Sequence, residues 1–331
     1  MNNRILIVGH GLAGAILAQT FAKHGTTVHV AEADLPHHAS PIAAGLVNPL
    51  IGPKLNPPFD IEKCLQAIRK LNDFFSRKFG ESFYENLSLH RIFRNQEQAN
   101  IWKSNPSKIS NFYEKAEIID PKETTMKAPF GIGITKCLRL RIQSFLEFSK
   151  HSLIESDQWK QGSHNYDDQG YDIIIFCEGF RSAQNPWFSY LPFAPVRGEI
   201  LEIEKKLSFA ASNGTWAIPQ SSTSFLAGST WDHSGLEKGP TAEGKKKILN
   251  DLDFLNLNSL ELLSHGSGVR NGTRDRNPII GPHPQNQKVF IFNGFGSRGA
   301  TTIPLYALKL VEFILEKRPL PDHLNLNRFQ S

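Results

Sequence analysis

The sequence predicts an α/β protein built on a mostly parallel sheet, with antiparallel β material inserted between its parts. Three observations carry this. A short apolar run at the N-terminus breaks into glycines, then resumes as a helix and a second strand. A second apolar run, Tyr171 to Phe176, ends in Cys177-Glu178-Gly179, and a third, Lys288 to Asn293, ends in Gly294 before another helix. Parallel-type strands thus stand at the start, middle and end of the chain. The stretch from Pro195 to Leu226 reads instead as short strands separated by turns, an antiparallel pattern.

Taken in order, Ile5-Leu6-Ile7-Val8 is the first strand, and Gly9-His10-Gly11-Leu12-Ala13-Gly14 is a G-x-G-x-x-G. Ala15 to His24 reads as a helix closed by Gly25, and Thr26 to Ala31 as a β-branched strand. Glu32 follows the third glycine by 18 residues. This is a complete βαβ unit with an acid at its end, the pattern of a dinucleotide site. Gly9 permits the tight turn, Gly11 lets backbone approach a pyrophosphate, and Gly14 lets helix pack on strand. The helix N-terminus, with Leu12 and Ala13, offers N–H groups and a positive dipole end to the phosphates. Glu32, with Ala33 beside it, stands where a carboxylate accepts hydrogen bonds from ribose hydroxyls. The acid suits FAD or NAD and repels the 2′-phosphate of NADP.

Pro36 to Pro58 is a loop rich in small residues and proline. Asp60 to Phe79 is the clearest helix beyond it, with Ile61, Cys64, Leu65, Ile68, Leu71 and Phe75 at helical spacing, Asp60 to cap it and Gly80 to end it. Ser82 to Arg94 reads as strand and Gln96 to Lys103 as a short helix. The chain is then irregular until Leu138, after which Arg139 to Leu153 reads as helix. Glu243 to Asn256 and Thr302 to Glu316 are the remaining helices. One Rossmann-like FAD/NAD(P)-binding domain of discontinuous segments (1–58, 138–192 and 266–331) accounts for this order. The inserted substrate domain, mainly antiparallel β, takes 59–137 and 193–265.

With 331 residues, 40% hydrophobic and 21% charged, the composition is that of a globular protein of one large or two smaller domains. Three widely spaced cysteines without a C-x-x-C argue against a disulfide framework or a zinc site and fit a reducing cytosol, so the expected location is cytoplasmic. No stretch approaches the roughly 20 apolar residues of a membrane span. The net charge of +5 leans toward anionic partners, but Lys205-Lys206 and Lys245-Lys246-Lys247 are short clusters that read as solvated faces. His37 and His38 lack further ligands at metal spacing and read as loop residues near the nucleotide, so no metal is expected. No Ser-His-Asp constellation and no paired carboxylates stand out.

These segments resemble the FAD-dependent oxidoreductases of the D-amino-acid oxidase and glycine oxidase type. The likeness spans most of the chain and concentrates in four places. The first is the βαβ unit with Glu32. The second is Ala39-Ser40-Pro41-Ile42-Ala43-Ala44-Gly45-Leu46-Val47-Asn48-Pro49, similar to the small-residue loop that runs beside the flavin. The third is Pro195-Val196-Arg197-Gly198-Glu199, like the turn entering the substrate sheet. The fourth is Gly268 to Gly281 with Asn293 to Pro304. Within that superfamily, Val269-Arg270 through Pro278 and Gly296-Ser297-Arg298-Gly299 are most similar to the FAD domain of bifunctional tRNA wobble-uridine enzymes. A chain of this length has no room for their methyltransferase domain.

The resemblance implies FAD as cofactor. It places Ser40, Ala44, Gly45 and Leu46 beside the flavin and Gly179 at a second nucleotide turn. Gly294, Phe295, Gly296, Ser297, Gly299, Ala300 and Thr301 form the glycine-rich turn and helix start at the flavin's pyrimidine edge, where N–H groups stabilise negative charge. Arg270 occupies the position whose guanidinium pairs with a substrate carboxylate, a role that suits its planar fork; the structural alternative is a pair with Asp275 or Glu199. Arg298 is a second anion contact or a structural residue. Arg197 reads as structural, and Arg274 as the partner of Asp275 or a contact at the flavin edge. The implied reaction is oxidation of a C–N bond in an amino acid or N-substituted glycine by hydride transfer to flavin N5, imine hydrolysis and reoxidation by O₂. The alternative is a stand-alone tRNA-modifying oxidase that removes the carboxymethyl arm of carboxymethylaminomethyl-uridine. The partner is then tRNA in place of a free amine.

Overall fold

The computed structural model describes residues 3–33, 35–104, 106–162 and 170–329. The chain opens with β1 (Ile5–Val8), α1 (Leu12–Lys23), β2 (Val28–Glu32), β3 (Leu46–Val47) and α2 (Ile61–Phe79). It continues through β4 (Tyr84–Ile92), α3 (Gln96–Lys103), α4 (Ser107–Ser110), β5 (Tyr113–Ile119), β6 (Ile132–Leu140) and α5 (Ile142–Glu155). Next come β7 (Trp159–Gln161), β8 (Ile173–Phe176), β9 (Phe193–Glu204), β10 (Ala210–Ser212), β11 (Trp216–Pro219) and β12 (Ser224–Gly228). The last elements are α6 (Ala242–Asp251), β13 (Glu261–Thr273), β14 (Ile279–His283), β15 (Asn286–Asn293) and α7 (Gly299–Glu316).

Two sheets result. The first has six strands in the order β14-β15-β8-β1-β2-β7, parallel except for the β14–β15 hairpin. Its central strands β1 and β8 are buried along their whole length, with helices on one face and the segments around Phe188, Leu191 and Leu326 on the other. The second has nine strands, β13-β9-β12-β11-β10-β4-β6-β3 with β5 added to β6, and is antiparallel except where β10 meets β4. All six strands of the first sheet come from 1–58, 138–192 and 266–331. β4, β5 and β9 to β12 come from 59–137 and 193–265, while β3, β6 and β13 carry the second sheet across those boundaries.

The largest core lies between the first sheet and helices α1, α2, α5 and α7. The apolar stripe of α2 places Cys64, Ile68, Leu71 and Phe75 in it, and Phe75 packs its ring 4.9 Å from Phe145 and 5.8 Å from Phe83. Each such aromatic contributes about 1.5–3 kcal/mol by leaving water. The three cysteines are all buried and free. Burial pushes the Cys64 and Cys137 thiols up to about 12, so they stay protonated and unreactive.

Several expectations need correction. The stretch read as irregular before Leu138 contains β5 and most of β6. β5 is exposed on both faces through its middle and β6 buried on both, so neither shows the alternation that marks a strand. Arg139 lies in β6 rather than in a helix, and α5 begins at Ile142. The helix expected through Asn256 stops at Asp251 and gives way to a 3₁₀ turn over Leu252–Leu255. α7 starts at Gly299, three residues before Thr302. Among the described residues no helix is long and apolar enough to cross a membrane.

Candidate active site

A cavity of about 530 Å³ opens between the C-terminal ends of β1, β2, β8 and β15 and the N-terminal ends of α1 and α7, with the second sheet closing its far side. That is the size range of a small-molecule site. It is also where ligands bind in open α/β sheets, beyond the carboxyl ends of the strands.

The turn after β1 forms the first wall. Gly9 has φ +102°, a left-handed conformation that a side chain disfavours, and its N–H donates to Ala31 O at 2.8 Å. A Cβ on Gly14 would stand 1.8 Å from Gly9 O, so only glycine lets α1 sit this close to β1. At Gly11 a Cβ would meet only the Ser40 hydroxyl, at 3.2 Å, and otherwise point into the cavity. Gly11 provides no side-chain cap for α1, and Ser40 Oγ accepts from the Leu12 N–H at 2.9 Å. The Glu32 carboxylate accepts from the His10 N–H and lies 3.9 Å from His38 Nδ1. His10 itself turns inward, with Nε2 3.1 Å from Ser149 Oγ and its ring edge-on to Trp159. Burial, helped by Lys150, lowers its pKa to about 4, so the ring is neutral.

The second wall is the loop from Ser40 to Leu46. β6 holds it: Leu140 N–H donates to Gly45 O at 2.9 Å, and Arg139 Nε donates to Ala44 O at 3.3 Å. The third wall is the start of α7. Gly296–Arg298 form a 3₁₀ turn, and a Cβ on Gly299 would lie 3.7 Å from Leu12 Cδ2, so the starts of α1 and α7 are neighbours. Two helix N-termini therefore direct their positive dipole ends toward one cavity, a place for anionic groups.

Of the residues expected at the site, Gly9, Gly11, Leu12, Ala13, Glu32, Ala33, Ser40, Ala44, Gly45, Leu46, Gly179, Phe295, Gly296, Ser297, Gly299, Ala300, Thr301, Arg270 and Arg298 line this cavity. Gly14 and Gly294 lie outside its lining. Gly14 serves the contact between helix and strand, and Gly294 turns the chain where a Cβ would stand 2.8 Å from Thr273 Cγ2. His38, expected near the nucleotide, and Asn48, in the loop expected beside the flavin, also line the cavity, whereas the sequence reading missed Trp216, Ser229 and Trp231. They stand in no motif, and only the fold of the second sheet brings them there.

Arg270 comes from the C-terminal half of β13, paired across from Val196. Its Nη1 donates to Ser229 Oγ at 3.2 Å and its Nη2 to Thr230 O at 2.7 Å, and Trp231 lies over its face. Neither carboxylate named as a structural partner reaches it. Glu199 is taken by Arg197 at 3.2 Å, by His265 at 2.8 Å and by Thr241, while Asp275 is taken by Arg328 at 2.8 Å and by Thr273. Burial lowers the Arg270 pKa to about 10, still far above neutrality, so the cavity holds a partly desolvated cation. Arg197 is structural, clamped between Glu199 and Asp232. Arg274 does not pair with Asp275: the turn between β13 and β14 leaves it exposed and outside the cavity lining. Arg298 donates to Arg276 O at 2.7 Å and keeps a place on the cavity wall.

These walls fit FAD. The glycine cradle leaves backbone room for a pyrophosphate beside a helix N-terminus, and Glu32 ends β2 on the side where a ribose would lie. The sequence profile of the FAD dependent oxidoreductase family (DAO) matches residues 145–313. Glycine oxidase of Pseudomonas aeruginosa is 23% identical over 97% of this chain and 97% of its own length. The tRNA 5-methylaminomethyl-2-thiouridine biosynthesis bifunctional protein MnmC of Leptospira interrogans is 25% identical over 98% of this chain, which spans 60% of that longer protein. Among solved structures, iminodiacetate oxidase from a Chelativorans species superposes with a TM-score of 0.79 at 19% identity, covering 97% of this chain and 98% of that one. Glycine oxidase from Geobacillus kaustophilus gives 0.76 at 18% identity, with 99% of each chain covered. With more than half of the sequence matching the family's profile and the fold shared along its length, the chain belongs to the DAO family of FAD-dependent oxidoreductases.

Proposed function

We propose that the protein oxidises the C–N bond of an amino acid or N-substituted glycine, with Arg270 as the carboxylate site. The observation that carries this is a charged, part-buried guanidinium on the cavity wall with only neutral acceptors among the described residues. A desolvated cation without a counter-ion is costly, and a substrate carboxylate supplies the missing charge. Glycine oxidase and iminodiacetate oxidase, both similar to this chain, bear names that point to such substrates.

FAD, when bound, supplies the two-electron acceptor. The residues proposed to hold it are Gly9, Gly11, Leu12, Ala13 and Gly14 around the pyrophosphate, Glu32 and Ala33 at the ribose, and Ser40, Ala44, Gly45 and Leu46 beside the ring. Gly179, Gly294, Phe295, Gly296, Ser297, Gly299, Ala300 and Thr301 complete the set. The start of α7 would offer N–H groups and a dipole to the negative charge of the reduced cofactor. Ser229 Oγ and Thr230 O fix the plane of Arg270, so a carboxylate docked on its free N–H edge has one orientation. The imine so formed hydrolyses in water to a carbonyl compound and an amine. Arg298 is proposed as a second, weaker anion contact.

The test is anaerobic flavin reduction by glycine, sarcosine and iminodiacetate, followed by peroxide release in air. Reduction by none of them at millimolar concentration overturns the small-amine reading. The second reading, a carboxymethylaminomethyl-uridine in tRNA, draws on the exposed Arg274 and Arg276, whose turn is joined to Arg298. Reduction by tRNA that weakens steeply with salt supports it, because phosphate contacts release counterions.

A further inference from the structure

Trp231 is 60% exposed, yet it lines the cavity and covers Arg270, whose guanidinium carbon lies 4.3 Å from the ring centroid. The segment that carries it is held firmly. Arg197 and Asp232 exchange backbone hydrogen bonds of 2.9 and 3.0 Å, and their side chains pair at 2.8 Å. One residue before the indole, Thr230 Oγ1 accepts from the Glu199 N–H at 2.9 Å, and Thr230 O accepts from Arg270 itself. The backbone on either side of Trp231 is therefore held against β9.

A guanidinium donates hydrogen bonds in its plane. A ring stacked over its face leaves the N–H edge open to an anion while keeping water from that face. We infer that Trp231 is a positioning residue for carboxylate recognition: it backs the guanidinium that Ser229 and Thr230 orient and keeps water from one side of it, so the substrate's carboxylate meets a preorganised cation. This rests on the reading of Arg270 as the carboxylate site. Without the ring, water and small ions reach the guanidinium, and the contact with a carboxylate becomes weaker and screened by salt.

The experiment uses acetate as the probe and the FAD-loaded protein, reading the shift in flavin absorbance at low and moderate salt. Trp231→Ala is expected to weaken acetate binding about tenfold and to make it fall with salt. Trp231→Phe recovers most of the affinity, because a phenyl face shields the same surface. For amine substrates, the rise in KM of Trp231→Ala exceeds the fall in kcat. If Trp231→Ala binds acetate with wild-type affinity and salt dependence while Arg270→Lys has lost it, the inference falls and the carboxylate site stands. Wild-type acetate affinity in Arg270→Lys would remove the site and the inference together.

Discussion

Arg197 and Arg270 lie on neighbouring strands, with Val269 directly opposite Arg197, yet their surroundings divide their tasks. Arg197 is neutralised by two carboxylates, whereas among the described residues Arg270 meets only a hydroxyl, a carbonyl and an indole. Arg270→Lys keeps the charge but loses the two-pronged edge. It is expected to retain FAD and to slow anaerobic flavin reduction by an amine substrate about 100-fold. His10 gives a pH-dependent prediction. The unfolded chain protonates this ring below its ordinary pKa of 6.5, while the folded one does so only near 4. Between those values the unfolded state binds more protons, so stability falls as pH drops through the window and is fully present above it. The loss approaches on the order of 3 kcal/mol at the acid end. Urea midpoints between pH 7.5 and 4.5 should show this slope, and His10→Gln should flatten it.

At the scale of elements, the turn between β1 and α1 separates two uses of glycine. Gly14→Ala drives a methyl into Gly9 O and should cost both FAD and folding stability. Gly11→Ala meets only a hydroxyl and should fold, but bind FAD weakly; FAD retention on gel filtration beside thermal melting distinguishes the two. Equal loss of stability in both variants would count against this division. This turn was legible in the sequence because strand, glycines, helix and acid each carry a local signal. β5, β6 and β7 were not: β7 has three residues, and the burial of β5 and β6 is set by partners far along the chain. Arg270 was legible only through resemblance. What qualifies it, the diversion of Glu199 to Arg197 and His265, depends on the register of β9 against β13.

Across the whole molecule, the chain after α7 returns to cover the first sheet. Leu320, Leu324 and Leu326 are buried, Ile280 N–H donates to Leu324 O at 2.9 Å, and Arg328 pairs with Asp275. Deleting the segment from Leu320 onward should lower stability by about 5 kcal/mol, from three leucines returned to water. Urea denaturation measures it, and a shift under 1 kcal/mol would show that this tail is dispensable. The alternation of parallel and antiparallel material in the sequence made the two-sheet arrangement legible. The strand that bridges it, β13, was not read as a strand, because its N-terminal half is exposed and its C-terminal half carries a motif.

The order β14-β15-β8-β1-β2-β7 also governs when the protein can first hold its cofactor during synthesis. β1 pairs with β8 roughly 170 residues later, and β8 with β15 more than 100 residues after that. A ribosome adding about 5–20 residues per second takes roughly 15–60 s to pass from the first strand to the last. The early βαβ turn keeps an apolar strand edge bare until β8 emerges, and for the whole interval it has no α7 to complete the cavity. Nascent chains should therefore need shielding by chaperones, and FAD should be captured only after translation has reached α7.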